Sequence, residues 1–203
     1  MNSLWKPCVV RSGQSQNPFT APQIITPEWC AVTLIDQDIC IEPIARSHVR
    51  NLFQCGNPTL DAYLHRYARQ NSERGLAKAY VATLAGDRNV IGYYTLSASQ
   101  ILFEDAPPDL VRSMPRYPIP AARIGEFAVD IHYQGKGLGA ILLLDALRCI
   151  CATSEGIGIL AIIVDAIDDS AARFYRHFGF EDFGGHSLQL YLTMQDASAW
   201  VAK

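Results

Sequence analysis

A glycine-rich segment in the second half of the chain has the residue types that bind phosphate groups. Gly135, Gly137 and Gly139 alternate there, between a strand-like apolar stretch and the start of an apolar helix. Glycine lets several backbone N–H groups turn toward one point, and the first turn of the helix adds unpaired donors and a positive dipole end. The segment therefore predicts a cradle for the pyrophosphate of a bound cofactor.

Three phosphate-binding motifs could account for this segment. A P-loop fails because Asp130 stands where its first glycine should be, and Gly137 follows Lys136 where serine or threonine is required. The permissive dinucleotide fingerprint matches from Gly135 onward, yet its glycines should follow the strand directly, and residues 131–134 intervene. The remaining match is a Gln-Gly-x-Gly-x-Gly turn after a strand that ends Ala-Val-Asp. A glycine turn that merely caps a surface helix is the structural alternative.

Composition bounds the class of protein. At 203 residues, the chain is predicted to form one domain over residues 38–203, after an irregular, proline-interrupted extension over residues 1–37. Its 49% hydrophobic and 18% charged residues are typical of a soluble globular protein, without an apolar run that could cross a bilayer. Six cysteines without a C-x-x-C pair argue against a metal site and for the reducing cytoplasm. The net charge of −3 means that any nucleic-acid partner must meet a local basic patch.

Hydrophobic periodicity predicts a mixed sheet flanked by helices, in the α/β class. The expected helices cover residues 57–75, 138–151 and 168–178, and the expected strands cover 77–84, 90–97, 124–129, 159–164 and 188–192. The first two strands form an antiparallel hairpin, whereas the strand–helix–strand unit around the glycine turn joins its strands in parallel. Because the first half of the chain offers a hairpin, a doubly wound Rossmann half is excluded. Prolines between residues 107 and 120 predict a loop with at most one helical turn.

Taken together, these motifs resemble the GNAT N-acetyltransferases, and within them the TacT-like toxins that pair with ribbon-helix-helix antitoxins. The blocks that carry the resemblance lie within residues 39–194, and they are Phe53-Gln54-Cys55-Gly56-Asn57, Ile91-Gly92-Tyr93-Tyr94-Thr95, Arg116-Tyr117-Pro118, Ala128-Val129-Asp130 through Gly139, Val164-Asp165-Ala166, and Phe174-Tyr175-Arg176-His177-Phe178-Gly179-Phe180. The resemblance implies the GNAT acyltransferase fold, a mixed and mostly antiparallel sheet whose parallel strand pair splays around acetyl-CoA. In one departure, Glu126 stands where the toxin pattern carries arginine.

The resemblance also implies acetyl-CoA as co-substrate and assigns the residues that bind it. Tyr175 matches the family tyrosine beside the CoA sulfur and would protonate the leaving thiolate. Val129 would aim its N–H at the thioester carbonyl, and together with Phe127 it would offer main-chain groups to the pantetheine arm. The predicted cofactor-binding residues are Phe127, Val129, Gln134, Gly135, Lys136, Gly137, Leu138, Gly139 and Ala140.

An acceptor and partners follow from the same resemblance: aminoacyl-tRNA, a ribbon-helix-helix antitoxin, and a second copy in a homodimer. The basic residues available to contact tRNA are Arg66, Arg69, Arg74, Lys78, Arg116 and Arg176. A solvated polar helix face is the alternative explanation for them. Two other functions stay open, namely acetylation of a small amine or protein N-terminus, and a catalytically inactive protein that only binds CoA or an antitoxin.

Three further residues are weighed as site residues. Glu126 could act as a base through water, or it could be a plain strand residue. Tyr93 and Tyr94 are neighbours on one strand, so their side chains point to opposite faces of the sheet. One of them could line the acceptor pocket, while the other would pack in the core.

Overall fold

A single seven-stranded sheet organises the chain in the computed structural model, which describes residues 38–112, 115–183 and 188–202. The strands are β1 (Ile39–Pro43), β2 (Lys78–Leu84), β3 (Gly92–Ile101), β4 (Ile119–Val129), β5 (Ala161–Asp165), β6 (Glu181–Asp182) and β7 (Gln189–Thr193). Their order across the sheet is β1-β2-β3-β4-β5-β7-β6. The predicted extension over residues 1–37 lies outside the described residues.

Helices cover both faces of the sheet, as expected for the α/β class. They are α1 (Pro58–Ala62), α2 (Ala68–Arg74), α3 (Pro108–Val111), α4 (Leu138–Ser154), α5 (Asp169–His177) and α6 (Met194–Val201), with a π-helical turn over Tyr63–Tyr67 between α1 and α2. On one face, α4, α5 and α6 share a buried apolar cluster with the central strands. On the other face, α1, the π-helical turn and α2 form one unit, called the α1–α2 unit below, which covers a smaller apolar cluster. α3 covers another such cluster. Among the described helices, none is long and apolar enough to span a membrane.

One strand pair within the described sheet is parallel, and it positions the site. β4 pairs with β5 in parallel over Ala121–Ile124 and Ala161–Val164, whereas the other described pairings are antiparallel. β5 is buried along almost its whole length, as a central strand covered on both faces must be. The predicted mixed sheet with one parallel pair is thereby confirmed.

The α1–α2 unit follows the predicted helix, with one irregularity. Asn57 caps its start, because its side-chain oxygen accepts the N–H groups of Thr59 and Leu60 at 2.9 and 3.3 Å. Gly75 ends it in the left-handed region, with φ of 77°. The π-helical turn between α1 and α2 was not predicted, since one extra residue per turn barely changes the spacing of apolar side chains.

The segment 107–120 was predicted to be a loop, and this was right only in part. α3 supplies the single helical turn, but β4 begins at Ile119 and includes Pro120, opposite Gln100 of β3. Proline is tolerated there because it lies within the first two residues of the strand. β1, β6 and α6 were not predicted, since each is short and lacks a strong period.

Candidate active site

A bulge in β4 shapes the site. Gly125 and Glu126 together oppose the single residue Thr95 of β3, so the register shifts there. The buried hydroxyl of Thr95 accepts the backbone N–H of Glu126 at 3.0 Å and donates to the Glu126 carboxylate at 3.0 Å. A Cβ atom on Gly125 would lie only 2.6 Å from that hydroxyl oxygen. Only glycine therefore fits at position 125 while Thr95 holds the bulge.

Beyond the bulge, β4 continues without its parallel partner. The β4–β5 register ends at Ile124 opposite Val164, and the last five residues of β4 extend past it. This open edge borders a cavity of about 890 Å³, which also meets the glycine turn, the starts of α4 and α5, and the loop before α1. A strand edge with unpaired N–H and C=O groups can bind an extended ligand as if it were an added strand. The cavity therefore suits a long, flexible molecule that carries amide groups.

The glycine turn closes one end of the cavity. Gly135 and Gly137 have φ of 70° and 82°, a region that other residues rarely adopt, and nothing lies within 4 Å of where their Cβ atoms would be. Gly137 is the N-cap residue of α4, and no side chain caps that helix. The first N–H groups of α4 therefore remain available to an anion at the turn.

Hydrogen bonds fix this turn to the neighbouring loop. Both carboxylate oxygens of buried Asp130 accept backbone N–H groups, one from Gln54 at 3.0 Å and one from His132 at 2.9 Å. Burial alone would raise the pKa of Asp130, but these hydrogen bonds outweigh it and leave the pKa below its ordinary value. The side-chain amide of Gln134 donates to the carbonyl oxygens of Cys55 and Val129 at 2.8 and 2.9 Å. Gln134 thus joins the strand, the turn and the loop.

Tyr175 brings a hydroxyl into the same cavity. Its side chain on α5 is 5% exposed, and its ring contacts Phe127 and Phe174 edge-on, with centroids 6.0 and 5.3 Å away. A tyrosine hydroxyl is ordinarily protonated at neutral pH, and burial raises the pKa of Tyr175 further above that range. Within the described part of the chain this hydroxyl has no hydrogen-bond partner. Since no fully buried side-chain N or O atom of the described residues lacks a partner, this hydroxyl opens into the cavity and is available to a bound ligand there.

The fold of the site is shared with known enzymes. Residues 77–182, about half of the chain, match the family model described as an acetyltransferase (GNAT) domain. The chain belongs to the GNAT acetyltransferases.

Curated and solved relatives lie within this family. The chain is 40% identical to a "tRNA-acetylating toxin" of Mycobacterium tuberculosis over 150 residues, which are 73% of this chain and 88% of the relative. A solved structure of "AtaT complexed with acetyl-methionyl-tRNAfMet" is 26% identical, with a TM-score of 0.74 over 80% of this chain and 98% of that one. Another, of "AtaTR bound with AcCoA", is 27% identical, with a TM-score of 0.71 over 80% and 97%. The predicted family, its toxin group and its GNAT fold are confirmed.

Acetyl-CoA, the co-substrate expected of a GNAT acetyltransferase, fits the residues that are present. Its pyrophosphate suits the open glycine turn, and its pantetheine arm has the amide groups that the open edge of β4 can bind. Eight of the nine predicted binding residues line the cavity, namely Phe127, Val129, Gln134, Gly135, Lys136, Gly137, Gly139 and Ala140, as does Tyr175. Leu138 is the exception, because its side chain is fully buried in the core below α4.

Two other residues that the sequence suggested for the site, Tyr93 and Tyr94, lie outside the cavity. Tyr93 and Tyr94 do point to opposite faces, but both are fully buried and neither lines the cavity. The Tyr93 hydroxyl donates to the Leu60 carbonyl at 2.8 Å, and the Tyr94 hydroxyl donates to Asp145 at 2.5 Å. Both tyrosines therefore hold the fold together.

Sequence reasoning missed the lining supplied by the loop before α1 and by α1 itself. Cys55, Gly56, Asn57 and Leu60 form the wall opposite α5. Nothing in their residue types points to a site, since the fold alone brings them there. The bulge could have been found, because an isolated glycine such as Gly125 inside a strand pattern is a bulge signal.

Proposed function

We propose that this chain transfers the acetyl group of acetyl-CoA to the α-amino group of an aminoacyl-tRNA. The observation that carries the proposal is the cavity itself, where the free hydroxyl of Tyr175 and the open edge of β4 meet the glycine turn. The 40% identity to a tRNA-acetylating toxin supports tRNA as the acceptor over a small amine or a protein N-terminus.

The proposed reaction is direct attack of the amine on the thioester carbonyl. The α-amino group has an ordinary pKa of about 8, so part of it is already neutral at neutral pH and no strong base is required. The N–C bond forms, the C–S bond breaks, and the amine's excess proton passes to water. The backbone N–H of Val129, on the open edge, would stabilise the charge that develops on the carbonyl oxygen.

Tyr175 would complete the reaction as a general acid. Its hydroxyl lies at the cavity wall without a competing partner and, like an ordinary tyrosine, is protonated at neutral pH; burial raises its pKa further. It would donate its proton to the departing thiolate, and the resulting phenolate would regain a proton from solvent. Phe127 and Phe174 pack against its ring and would limit the directions in which the hydroxyl can point.

A transfer assay with radiolabelled acetyl-CoA tests this proposal. Three acceptors are compared: a bulk aminoacylated tRNA pool, the same pool after deacylation, and a mixture of free amino acids and amines. Label on charged tRNA alone, lost on mild alkaline release of the amino acid, is the expected result. Label on free amines but not on charged tRNA would contradict tRNA as the acceptor. A protein that binds acetyl-CoA and labels nothing would be the inactive alternative.

The finer partner assignments belong to the same proposal. We expect a ribbon-helix-helix antitoxin and a homodimer, both on the strength of the resemblance to the TacT-like toxins. Light scattering of the purified protein tests the dimer, and a single-chain mass would contradict it. Co-expression with the protein encoded next to this chain tests the antitoxin, which should co-purify and relieve growth inhibition.

A further inference from the structure

Charge is distributed unevenly around the cavity. Residues 44–78, which include the loop before α1 and the whole α1–α2 unit, contain six basic residues and two acidic ones, in a chain whose net charge is −3. The six are Arg46, Arg50, Arg66, Arg69, Arg74 and Lys78. The same unit forms one wall of the cavity through Cys55–Asn57 and Leu60. A strongly basic surface therefore adjoins the cavity of an acidic protein.

The two acidic residues of this segment are already bonded. Asp61 accepts the backbone N–H of Cys55 at 2.8 Å and so holds the loop before α1. Glu73 pairs with Arg69 at 2.5 Å across one turn of α2. Neither carboxylate is therefore available to balance Arg50 or Arg66.

Arg50 and Arg69 lie close enough to repel each other. Arg50 is half-buried on the turn that leads to the loop before α1, and its pKa is lowered first by burial and then by the charge of Arg69. Two guanidinium groups in such proximity are unfavourable in the free protein, and an anion that contacts both would relieve the repulsion. Each guanidinium group presents a planar fork of N–H donors that suits phosphate oxygens.

The opposite wall of the cavity lacks this basic excess. On α5 and its N-cap, Asp168 and Asp169 balance Arg173 and Arg176, and Asp168 itself lines the cavity. A polyanion that entered the cavity with one end would therefore be attracted along the α1–α2 unit and not along α5.

We propose that Arg50, Arg66 and Arg69 bind consecutive phosphodiester groups of the RNA acceptor as it leaves the cavity across the α1–α2 unit. This inference rests on the proposed function, and it names the surface that would deliver the acceptor. Arg50 was not among the residues that the sequence suggested for this role.

Two of the basic residues that the sequence suggested as tRNA contacts, Arg176 and Arg116, lie away from this surface. Arg176 lies on α5, across the cavity from the α1–α2 unit, and its Nη2 and Nε contact the Asp182 carboxylate. Arg116 precedes β4 at the end of the strand far from the cavity, which is about 30 Å away at ~3.3 Å per residue. Neither residue therefore belongs to the basic surface formed by residues 44–78.

Equilibrium binding of a deacylated bulk tRNA pool tests the surface without relying on acetylation. Binding is titrated at several NaCl concentrations for the wild type, for Arg50→Gln, Arg66→Gln and Arg69→Gln, and for the triple variant. The exposed Arg148 on the opposite face gives the matched control, Arg148→Gln. Steady-state acetylation of charged tRNA is measured in parallel.

Each single substitution should weaken tRNA binding several-fold, and the slope of log affinity against log salt should fall by about 0.7–0.9 for each phosphate that is no longer neutralised. The KM for charged tRNA should rise while kcat and the KM for acetyl-CoA stay unchanged. Glu73→Gln should have the opposite effect and tighten tRNA binding, because it frees Arg69 from its ion pair.

The proposal would be overturned if the triple variant kept the wild-type slope of log affinity against log salt. It would also be overturned if Arg148→Gln lost as much tRNA affinity as the three single variants, or if Glu73→Gln bound tRNA more weakly than the wild type. Failure of the proposed function gives a different pattern. In that case the wild type would not acetylate charged tRNA at all, while the salt-dependent binding of deacylated tRNA would still depend on these three arginines.

Discussion

Buried tyrosines lie in two regions of this molecule, the middle of β3 and the wall of the cavity. The two regions differ in whether the tyrosine hydroxyl has a hydrogen-bond partner within the protein. Tyr93 and Tyr94 on β3 are fully buried, and each hydroxyl donates a hydrogen bond to a fixed group of the protein. Tyr175 on α5 is almost as buried, yet its hydroxyl has no partner among the described residues. Among the described residues no fully buried polar side-chain atom lacks a partner, so the Tyr175 hydroxyl opens into the cavity, where it is available to a ligand.

Buried carboxylates show the same contrast. Asp130 accepts two backbone N–H groups, and these lower its pKa despite burial. For Asp145 burial dominates, and the pKa is raised although Tyr94 donates a hydrogen bond to it. At Asp130 the donors from Gln54 and His132 together outweigh burial, whereas at Asp145 burial outweighs the Tyr94 donor and the charge of Arg148.

Tyr175→Phe should have the largest effect. It removes the hydroxyl that opens into the cavity, so we expect kcat to fall by ~10²-fold or more, the usual contribution of a positioned general acid. The free energy of unfolding should stay within about 0.5 kcal/mol of the wild type, because the substitution removes no hydrogen bond within the protein. Stopped assays and thermal melts measure the two quantities. A large loss of stability alongside an unchanged kcat would reverse the assignment.

Asp130→Asn should come next, and it acts on stability and site geometry together. The asparagine amide cannot accept from both N–H donors, so we expect a loss of about 1.5–3 kcal/mol in unfolding free energy. Since the pKa of Asp130 in the folded protein lies below its ordinary value of 3.8, its contribution is present above about pH 4. It is lost as the pH falls through the folded-state value. Denaturant titrations from pH 7 to pH 3 should show the two proteins converging at low pH, and parallel curves would contradict this role.

Tyr94→Phe should have a smaller effect, confined to stability. We expect a loss of about 1 kcal/mol, because the raised pKa of Asp145 lets it take up a proton once the tyrosine donor is gone. The kcat and both KM values should match the wild type. Loss of activity in Tyr94→Phe at unchanged stability would erase the contrast with Tyr175.

Glu126→Gln should have the smallest effect. Thr95 holds one carboxylate oxygen of Glu126, and a glutamine side chain can accept the same hydrogen bond. Glu126 does not line the cavity, so kcat/KM at pH 7 should change less than about threefold. The pH profile of kcat/KM is the sharper measurement. A drop of ~10²-fold with loss of the acidic limb would establish Glu126 as a general base.

The part of the site that would bind acetyl-CoA could be predicted from the sequence, because each of its motifs lies within a short stretch of the chain. The glycine turn, the helix from Leu138 and the residues around Tyr175 each carry their geometry in a few consecutive residues, and the structure brings eight of the nine predicted binding residues to one cavity. For Leu138 the side chain is buried on the core side of α4, and cofactor binding through its backbone N–H at the start of that helix stays a prediction.

The side of the cavity that would face the acceptor, formed by the loop before α1 and by α1 itself, could not be predicted in the same way. The wall there consists of Cys55–Asn57 and Leu60, which only the packing of the α1–α2 unit on the sheet brings to the cavity. The bridging role of Gln134 was also missed, because its two carbonyl partners lie 5 and 79 positions away in the chain. Pairings at such long range leave no periodic trace in the sequence.

The bulge at Gly125 and Glu126 has a consequence for how this chain can vary. Side chains along a strand alternate between faces, and a bulge keeps that alternation in step with the partner strand although one strand carries an extra residue. Ile124 and Phe127 therefore face the same buried cluster as their partners Leu96 and Tyr94, although they stand three positions apart in β4. Loss of one residue at the bulge would straighten the strand and leave Phe127 on the face of Tyr175, whereas loss of a residue beyond Phe127 would exchange the faces of the strand end that borders the cavity. The bulge is thus the point of β4 at which the length of the chain can change with the least effect on the cavity.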